Sequence, residues 1–334
     1  MDDLRQAHPA PVPLEMLAWR ASAYGGPEVL KLGRVATPLP RDAEILIRVQ
    51  ATTVSSADRR IRAMDFPSGL AVFGRAYFGW RTPRRPILGC EATGVVVEVG
   101  AKARRFQPGD AVIAFPSARG GGHGEYLRMP ESGTVVARPA GMSIEAAAAL
   151  AFGGLTARDF LRRSALKAGE RLLVIGACGT VGSALLQLGA ASGALVHAVT
   201  STANTDLARA LGAAAVIDYT RQDVLDALGD YDLIADAVGA LRFAQAWPRM
   251  RRGARFLAIN GSVGDMLSSA RQGRACVAGP SAERVEDLHA LVALHAAGDY
   301  VPLIDRVFDF ADMPAAHARV DSGRKRGSVV VRVG

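Results

Sequence analysis

Residues 172–182 have the sequence Leu172-Leu173-Val174-Ile175-Gly176-Ala177-Cys178-Gly179-Thr180-Val181-Gly182, four apolar residues that run into a glycine-rich turn. Glycines in such a turn let the backbone approach a pyrophosphate, and the following helix offers unpaired N–H groups and a partial positive charge. The spacing Gly-x-x-Gly-x-x-Gly departs from the usual Gly-x-Gly-x-x-Gly, so the turn alone also fits a bend that only packs a helix. Its position after a buried strand favours a nucleotide site, with contacts from Gly176, Gly179, Thr180, Val181 and Gly182.

Alternating strand and helix patterns surround this turn. We predict strands at 171–175, 195–199, 215–217, 233–236, 254–259 and 275–278, and helices at 180–192, 205–211, 223–228 and 241–250. In the first helix Val181, Leu185 and Leu188 recur on one face, as expected for a helix that packs against a sheet. Strands joined by helices indicate a parallel, doubly wound sheet of the dinucleotide-binding type.

The parts of the chain before and after this region are different in pattern. Ile45, Ile47 and Val49 alternate with other residues at a period of two, and further strands are predicted at 94–99 and 111–115. Near the C-terminus we predict a helix capped by Ser281 that ends at Gly298, a strand at 307–310, a helix at 314–323 and a strand at 328–333. This tail is too short to form its own core, so we expect it to complete the N-terminal domain.

Composition narrows the class of protein. The 334 residues, 49% apolar and 22% charged, predict about two globular domains. The net charge of +8 comes from scattered arginines, which favours an arginine-rich surface over a nucleic-acid interface. Three cysteines far apart in sequence exclude a disulfide framework and indicate a reducing compartment, the cytoplasm. Residues 1–13 lack the apolar stretch of a secretory signal and predict a loose extension, and glycines interrupt the uncharged segment 172–205, so no membrane span is predicted.

The end of the second predicted strand bears on the choice of coenzyme. NAD enzymes place an Asp or Glu there, which binds the ribose 2′-hydroxyl. This chain has Thr200-Ser201-Thr202-Ala203-Asn204, with no carboxylate before Asp206. Hydroxyl donors at Ser201 and Thr202 suit a 2′-phosphate, so NADPH is favoured over NADH. Candidates to contact that phosphate, unless they are ordinary surface residues, are Arg209, Tyr219 and Arg221.

Further candidates follow from the same topology. Residues after the fourth and fifth strands are expected to flank the nicotinamide half of a dinucleotide, and these are Val238, Gly239, Asn260 and Gly261. Cys178 lies where a helix N-terminus would lower its thiol pKa. His123, in a loop of glycines, is either a proton donor at the mouth of the cleft or a solvated loop histidine. The aromatic residues of segment 66–85 either line a substrate entrance or pack as a lobe.

A set of motifs, in order along nearly the whole chain, resembles a known family. The motifs include Gly89-Cys90-Glu91-Ala92-Thr93-Gly94-Val95, Gly153-Gly154-Leu155-Thr156-Ala157, the glycine turn, Asp236-Ala237-Val238-Gly239 and Gly323-Arg324-Lys325-Arg326-Gly327-Ser328. Together they are similar to the medium-chain dehydrogenase/reductase superfamily, in its zinc-free quinone oxidoreductase branch, which includes zeta-crystallin. The resemblance implies an α/β fold with a GroES-like β-rich catalytic domain and a doubly wound Rossmann cofactor-binding domain.

The resemblance also implies boundaries and partners. It places the catalytic domain at 1–136, completed by 281–334, and the Rossmann domain at 137–280. It adds Thr156 and Lys325 to the residues expected to bind the coenzyme. It implies a cytoplasmic homodimer, formed through the strand at 275–278, that acts on a small-molecule substrate and binds no membrane.

The positions that hold catalytic zinc in metal-dependent relatives are occupied here by Ser55, Cys90 and Phe152. Serine and phenylalanine do not make a zinc site, so the resemblance implies catalysis without zinc. Zinc-free relatives often carry asparagine at the position of Ser55. Serine can donate one hydrogen bond but has a shorter side chain than asparagine, which puts the usual substrate in doubt. We take Ser55 and Cys90 as the catalytic candidates, with a small buried filler as the alternative for Cys90.

These observations lead to three alternatives for the function. The first is an NADPH-dependent oxidoreductase that transfers hydride to a quinone or an α,β-unsaturated carbonyl without zinc. The second is a zinc-independent alcohol dehydrogenase, or a pathway-specific redox enzyme, of the same superfamily. The third is a non-catalytic protein that keeps nucleotide binding and uses its basic surface to bind RNA.

Overall fold

The computed structural model describes residues 11–66, 70–268 and 270–334. Most of the predicted N-terminal extension therefore lies outside the described residues. Within these ranges the strands form one two-stranded sheet and two seven-stranded sheets. None of the helices found there is both long and apolar enough to cross a bilayer.

The elements follow the alternation of patterns in the sequence. The strands in the described ranges are β1 (Glu15–Ala21), β2 (Leu30–Ala36), β3 (Glu44–Val54), β4 (Ala92–Val99), β5 (Ala111–Ala114), β6 (Tyr126–Pro130), β7 (Val135–Ala137), β8 (Arg171–Ile175), β9 (Leu195–Thr200), β10 (Ala215–Asp218), β11 (Leu233–Asp236), β12 (Arg255–Ala258), β13 (Ala270–Arg271), β14 (Arg274–Ala278), β15 (Ile304–Asp309) and β16 (Ser328–Arg332). The α-helices there are α1 (Ser56–Ala63), α2 (Ala71–Phe78), α3 (Ile144–Ala148), α4 (Ala151–Arg163), α5 (Thr180–Ala191), α6 (Thr205–Ala210), α7 (Phe243–Ala246), α8 (Val263–Leu267), α9 (Val285–Ala297) and α10 (Met313–Asp321).

The doubly wound sheet has the order β10-β9-β8-β11-β12-β14-β13, and its first six strands are parallel. This confirms the predicted Rossmann architecture. Strand β8 is the third strand in this order, and Leu172, Leu173 and Val174 are fully buried because helices cover both faces of the sheet. Chain order reverses on either side of β8, and the carboxyl ends of the strands at such a point form a crevice for ligands.

The second large sheet has the order β15-β16-β3-β4-β5-β7, with β6 also paired to β3. Its longest strand, β3, has 11 residues, and Ile45, Ile47 and Val49 point into a core shared with β4, β5 and β6. The last strand of the chain, β16, pairs antiparallel with β3, with Val330 opposite Thr53. The C-terminal tail is therefore an inner part of the β-rich sheet.

Three predicted helices differ from the structure. The helix expected from Ser281 begins at Val285, because residues 281–284 run along the β-rich half, where the Thr134 hydroxyl donates to the Glu283 carbonyl at 2.5 Å. The helix predicted at 241–250 is reduced to α7, since Pro248 cannot continue it. Residues 224–230 form a 3₁₀ helix, and the short strand β13 was not predicted.

The two sheets meet at the glycine turn. Helix α4 packs on α5 so closely that a Cβ atom on Gly153 would lie 2.6 Å from the carbonyl oxygen of Thr180. On the other side, the Gly327 N–H donates to the carbonyl of Cys178 at 2.9 Å. The residues just before β16 therefore lie directly against the turn that opens α5.

Candidate active site

The glycine turn has a shape that other residues cannot adopt without strain. Gly176 has φ of +77°, and a Cβ atom there would lie 2.4 Å from Cγ1 of Val238. A Cβ atom on Gly182 would lie 2.1 Å from the carbonyl oxygen of Gly176. Both distances are well inside van der Waals contact, so the spacing of these two glycines is fixed by the tight packing of the turn on the first turn of α5.

The N-terminus of α5 is open to an anion. Gly179 is its N-cap, and no side chain caps the helix, so the N–H groups of Thr180, Val181 and Gly182 have no partner within the helix. Lys325 lies beside them, and its ammonium group donates to Thr180 Oγ1 at 2.5 Å and to the Gly327 carbonyl at 2.7 Å. Burial lowers the pKa of Lys325 to about 8. The N-terminus of α5 thus has three N–H groups without a helical partner and a cation beside its first residue.

Two other predicted coenzyme residues have clear positions. Thr156 lies on α4, and its hydroxyl donates to the carbonyl of Phe152 at 2.8 Å. Tyr219, just after β10, is 58% exposed at the edge of a cavity of about 520 Å³. The same cavity is lined by the end of β8 at Ile175 and by Leu241 after β11, so it lies at the carboxyl ends of the parallel strands, where ligands bind in such a sheet.

The region expected to hold a 2′-phosphate contains a carboxylate that the sequence analysis missed. Asp218, the last residue of β10, is paired with Thr200 across the parallel ladder. The hydroxyl of Thr202 donates to Asp218, and the Thr220 hydroxyl also donates to it, at 2.7 Å. Those hydrogen bonds lower the pKa of Asp218 to about 2. The signal was the Asp that directly follows the strand predicted at 215–217, which parallel pairing brings beside the strand predicted at 195–199.

The residues expected at the nicotinamide end also lie together. Asn260, after β12, donates from Nδ2 to the carbonyl of Val238 at 3.2 Å. Gly239 has φ of +78°, and a Cβ atom on it would lie 3.2 Å from Nδ2 of Asn260. Gly261 follows Asn260, and a Cβ atom there would approach the Ala258 carbonyl to 2.9 Å. These four residues border the glycine turn through Val238.

Ser55 and Cys90, the catalytic candidates, touch each other in a buried pocket of the β-rich half. Ser55 Oγ lies 3.2 Å from Cys90 Sγ. Ser55 is also the N-cap of α1, and its hydroxyl donates to Asp58 Oδ2 at 2.6 Å. Asp58 Oδ1 accepts from the Gly89 N–H at 2.8 Å. Burial, with the nearby Asp58 and Glu91 carboxyls, raises the pKa of the Cys90 thiol well above its ordinary value, so this thiol is neutral.

Glu91 joins this pocket to the Rossmann half. Its carboxyl accepts from the Thr53 hydroxyl at 2.5 Å and from the Phe152 N–H at 2.7 Å. Burial raises the pKa of Glu91 to about 7. The three positions aligned with zinc ligands are therefore neighbours. Ser55 contacts Cys90, and the Phe152 N–H is hydrogen-bonded to Glu91, the residue after Cys90. The motif at 89–95 contains Glu91, but its bonds to Thr53 and Phe152 join segments that no local pattern connects.

The donors in this pocket do not suit zinc. Within residues 11–66, 70–268 and 270–334, no three His, Cys, Asp or Glu side chains are grouped so that they could hold a metal ion. Zinc prefers thiolate, imidazole or carboxylate ligands, whereas the three aligned positions supply a hydroxyl that is hydrogen-bonded to Asp58, one thiol and a phenyl ring. The coenzyme site is different, because its glycine cradle and uncapped helix fit a dinucleotide.

Two side chains differ from their predicted environments. Cys178 is 5% exposed, and burial raises its pKa, so the predicted acidic thiol is wrong. His123 is fully buried, with Nε2 at 3.0 Å from the Thr53 carbonyl, so the prediction of a solvated loop histidine or a proton donor at the cleft mouth is also wrong. In segment 66–85, residues 67–69 lie outside the described residues, and Tyr77 and Phe78 line a cavity of about 220 Å³ next to Asp58.

Comparison with known proteins agrees with this architecture. Residues 41–151 match a family model described as the alcohol dehydrogenase GroES-like domain, and residues 211–331 match one described as zinc-binding dehydrogenase. The quinone oxidoreductase of Coxiella burnetii superposes with a TM-score of 0.86 at 26% identity, over 96% of this chain and 100% of that one.

Curated relatives show the same relationship in sequence. The chain is 30% identical to the mitochondrial NAD(P)H oxidoreductase RTN4IP1 of Mus musculus, over 95% of this chain and 89% of that protein. It is 31% identical to the chloroplastic NADPH-dependent alkenal/one oxidoreductase of Arabidopsis thaliana over 76% of this chain, and the match spans 65% of the Arabidopsis protein. The chain therefore belongs to the medium-chain dehydrogenase/reductase superfamily, in its quinone oxidoreductase branch, and is an oxidoreductase that uses a nicotinamide coenzyme.

Proposed function

We propose that this protein is a reductase that uses NADPH, with NADH as the weaker substitute, to reduce the activated double bond of an α,β-unsaturated carbonyl or a quinone, without zinc. The observation that carries the proposal is the pocket around Ser55 and Cys90, in which the positions of zinc ligands meet but supply no ligand set. The names of the relatives, an alkenal/one oxidoreductase and a quinone oxidoreductase, support this acceptor class.

Different segments of the chain bind different parts of the coenzyme. The N–H groups at the start of α5 and the ammonium of Lys325 bind the pyrophosphate, as expected for a helix N-terminus beside a cation. Ser201 and Thr202 face the ribose of the adenosine, and Tyr219 borders the adenine cavity. Val238 and Asn260 flank the nicotinamide. Thr156 acts indirectly, because its hydroxyl donates a hydrogen bond to the carbonyl of Phe152.

Hydride transfer then occurs between the loops of Val238 and Asn260, which flank the nicotinamide, and the pocket around Ser55 and Cys90. When bound, the nicotinamide supplies a hydride to an electrophilic carbon of the acceptor. The Ser55 hydroxyl donates a hydrogen bond to Asp58 and contacts the Cys90 thiol. Asp58 in turn accepts a hydrogen bond from the Gly89 N–H, which positions the backbone there. Neither the hydroxyl hydrogen, which is held by Asp58, nor the neutral thiol is an acid at physiological pH. Glu91, whose pKa is about 7, accepts hydrogen bonds from Thr53 and Phe152, so we assign the proton that completes the reduction to solvent.

We also propose the domain division given by the sequence, with 1–136 and 281–334 as the catalytic domain and 137–280 as the Rossmann domain. The pairing of β16 with β3 supports it. A cytoplasmic homodimer formed through β14 is part of the same proposal. Light scattering that gives the mass of one chain would contradict the dimer.

A panel of acceptors tests the function. NADPH oxidation is followed with 1,2-naphthoquinone and with 3-penten-2-one as acceptors. In the reverse direction, NADP⁺ reduction is followed with primary alcohols. Metal content is measured on the same sample. Turnover of the quinone or the enone, unaffected by EDTA and without stoichiometric zinc, supports the proposal. Turnover of alcohols alone favours an alcohol dehydrogenase, and coenzyme binding without any turnover, together with salt-sensitive RNA binding, favours a non-catalytic protein.

A further inference from the structure

Arg60 differs from its neighbours on α1 in what it binds. Arg59 pairs with Asp65 at 2.8 Å, and Arg62 pairs with Asp321 at 2.6 Å. Arg60 donates from Nη2 to the amide oxygen of Asn260 instead. Within the part of the chain that the structure describes, no carboxylate lies within ion-pair distance of Arg60. The nearby Asp65 carboxylate, which acts to raise the pKa of Arg60, is itself paired with Arg59.

The position of Arg60 links the two halves of the candidate site. Its helix, α1, begins at the Ser55 pocket. Its partner, Asn260, holds the carbonyl of Val238, and Val238 packs on Gly176 in the coenzyme turn. One chain of contacts therefore runs from α1 to the loops expected to flank the nicotinamide. Arg60 is partly buried, and burial together with Arg59 lowers its pKa, although a guanidinium stays charged in proteins.

Hydride transfer to an enone or quinone is favoured by a positive group or a hydrogen-bond donor beside the acceptor oxygen. When hydride adds to the β-carbon of an enone, the electron pair of the double bond moves toward the carbonyl oxygen and gives an enolate, while the coenzyme is oxidised. A solvent proton then adds to the α-carbon. The enolate oxygen needs a donor during the first step, and such preorganised donors are among the largest contributors to catalysis. The hydroxyl of Ser55 is committed to Asp58, and the described residues offer no zinc ligand set.

We propose that Arg60 is the catalytic cation that binds the developing oxyanion of the acceptor, in the role that a metal ion has in zinc-dependent relatives. A guanidinium has five N–H donors, and the bond to Asn260 uses one of them. Asn260 thus orients the guanidinium and leaves other N–H groups for the substrate oxygen. This inference rests on the proposed function, because it assigns a residue to the same reduction.

Three variants test the assignment. Arg60→Met removes the charge, Arg60→Lys keeps a charge without the planar donors, and Arg59→Met removes a neighbouring arginine that pairs with Asp65 and Asp321. We expect Arg60→Met to lower kcat for the quinone and the enone by about 100-fold, the cost of one oxyanion donor. Arg60→Lys is expected to recover part of that loss, and Arg59→Met is expected to turn over at the wild-type rate. NADPH affinity, measured by fluorescence, is expected to be unchanged in all three.

A second measurement does not depend on turnover. 4-Nitrophenol is a stable analogue of an enolate oxygen, and its phenolate absorbs visible light. In the presence of saturating NADP⁺, the wild-type protein and Arg59→Met are expected to bind the phenolate and to lower the pKa of the bound phenol. Arg60→Met is expected to abolish that shift. If Arg60→Met does not fold, as judged by circular dichroism, the same comparison is made with Arg60→Lys and Asn260→Ala, which are expected to weaken the shift.

The results separate the two proposals. If no acceptor is reduced by the wild-type protein, the proposed function fails, and the phenol titration still decides the role of Arg60. If acceptors are reduced and Arg60→Met retains wild-type kcat, or if the wild-type protein leaves the pKa of bound 4-nitrophenol unchanged, the assignment of Arg60 is overturned while the function stands.

Discussion

The ammonium nitrogen of Lys325 lies 2.5 Å from the hydroxyl oxygen of Thr180, the first residue of α5. This contact brings a cation from the C-terminal part of the chain to the helix N-terminus expected to bind the coenzyme pyrophosphate. Because the coenzyme turn carries no Lys or Arg of its own, the charge for this site comes from a residue about 150 positions away in sequence.

The low pKa of Lys325 makes coenzyme binding depend on pH. Lys325 loses its proton as the pH rises through about 8, so the charge that attracts the pyrophosphate is present below this pH and lost above it. We expect the Kd for NADPH, measured by fluorescence titration, to rise above pH 8 by up to about tenfold per pH unit. Lys325→Met is expected to bind weakly and without this dependence. Lys31→Met, at an exposed position on β2, is the control and keeps it; a wild-type Kd that stays flat to pH 9.5 contradicts the prediction.

Asp218 is expected to limit the preference for NADPH. A ribose 2′-phosphate near Thr202 meets the Asp218 carboxylate, which the hydroxyls of Thr202 and Thr220 keep ionised. Asp218→Asn removes that repulsion between like charges, and we expect the ratio of kcat/KM for NADPH to that for NADH to rise about tenfold. Asp206→Asn, whose side chain is fully exposed, is the control. An unchanged ratio would mean that the phosphate binds elsewhere.

Two glycines of the coenzyme turn are expected to respond differently to alanine. A Cβ atom on Gly182 would lie 2.1 Å from the Gly176 carbonyl, whereas on Gly179 its nearest neighbour would be 3.4 Å away. Gly182→Ala therefore forces the turn away from α5, with a cost of about 1–3 kcal/mol for overpacking. Gly179→Ala, at an ordinary φ of −77°, is expected to keep wild-type stability. Thermal unfolding followed by circular dichroism measures both, and equal melting temperatures for the two variants refute the packing argument.

Glu91 is expected to make the protein less stable as the pH rises toward neutrality. In the folded chain burial raises its pKa to about 7, from its ordinary value of 4.5, so the unfolded chain releases this proton first. Stability is therefore lost between about pH 4.5 and 7, by roughly 3 kcal/mol for this group, and the loss is complete above pH 7.

Glu91→Gln imitates the protonated carboxyl and removes this dependence. We expect the unfolding free energy of Glu91→Gln, from urea denaturation, to exceed that of the wild type at pH 7.5 and to match it at pH 4.5. Glu286→Gln, at an exposed side chain on α9, provides the comparison and is expected to follow the wild type at both values. A constant difference between Glu91→Gln and the wild type across this range argues that Glu91 is ionised in the fold.

The sequence predicts the Rossmann half well because its signals are local. Each strand there is a short apolar run, and the turn at 176–182 follows a buried strand, so the order of the sheet follows from the pattern of strand and helix. The strand at the C-terminus is found by the same reasoning. Pro248 is a local signal that was overlooked, and it accounts for the overestimated helix before β12.

The chemistry of the site is less visible in sequence, because it depends on contacts between distant segments. Ser55 and Cys90 are 35 residues apart and Arg60 and Asn260 are 200 apart, and no local pattern connects either pair. The burial of His123 is also a tertiary property, since the glycine loop that holds it folds under β3. Asp218 is intermediate, as parallel pairing places it beside Thr200 once the strand order is known.

The bond between Gly327 and Cys178 has a consequence for how the protein is made. During translation, the coenzyme turn leaves the ribosome long before the last strand that supports it. Until residues 325–327 have been made, the nascent chain lacks both the Lys325 ammonium and the hydrogen bond that Gly327 donates to the turn. We therefore expect a polypeptide truncated before Lys325 to bind the coenzyme more weakly, because it lacks this ammonium group and the hydrogen bond from Gly327.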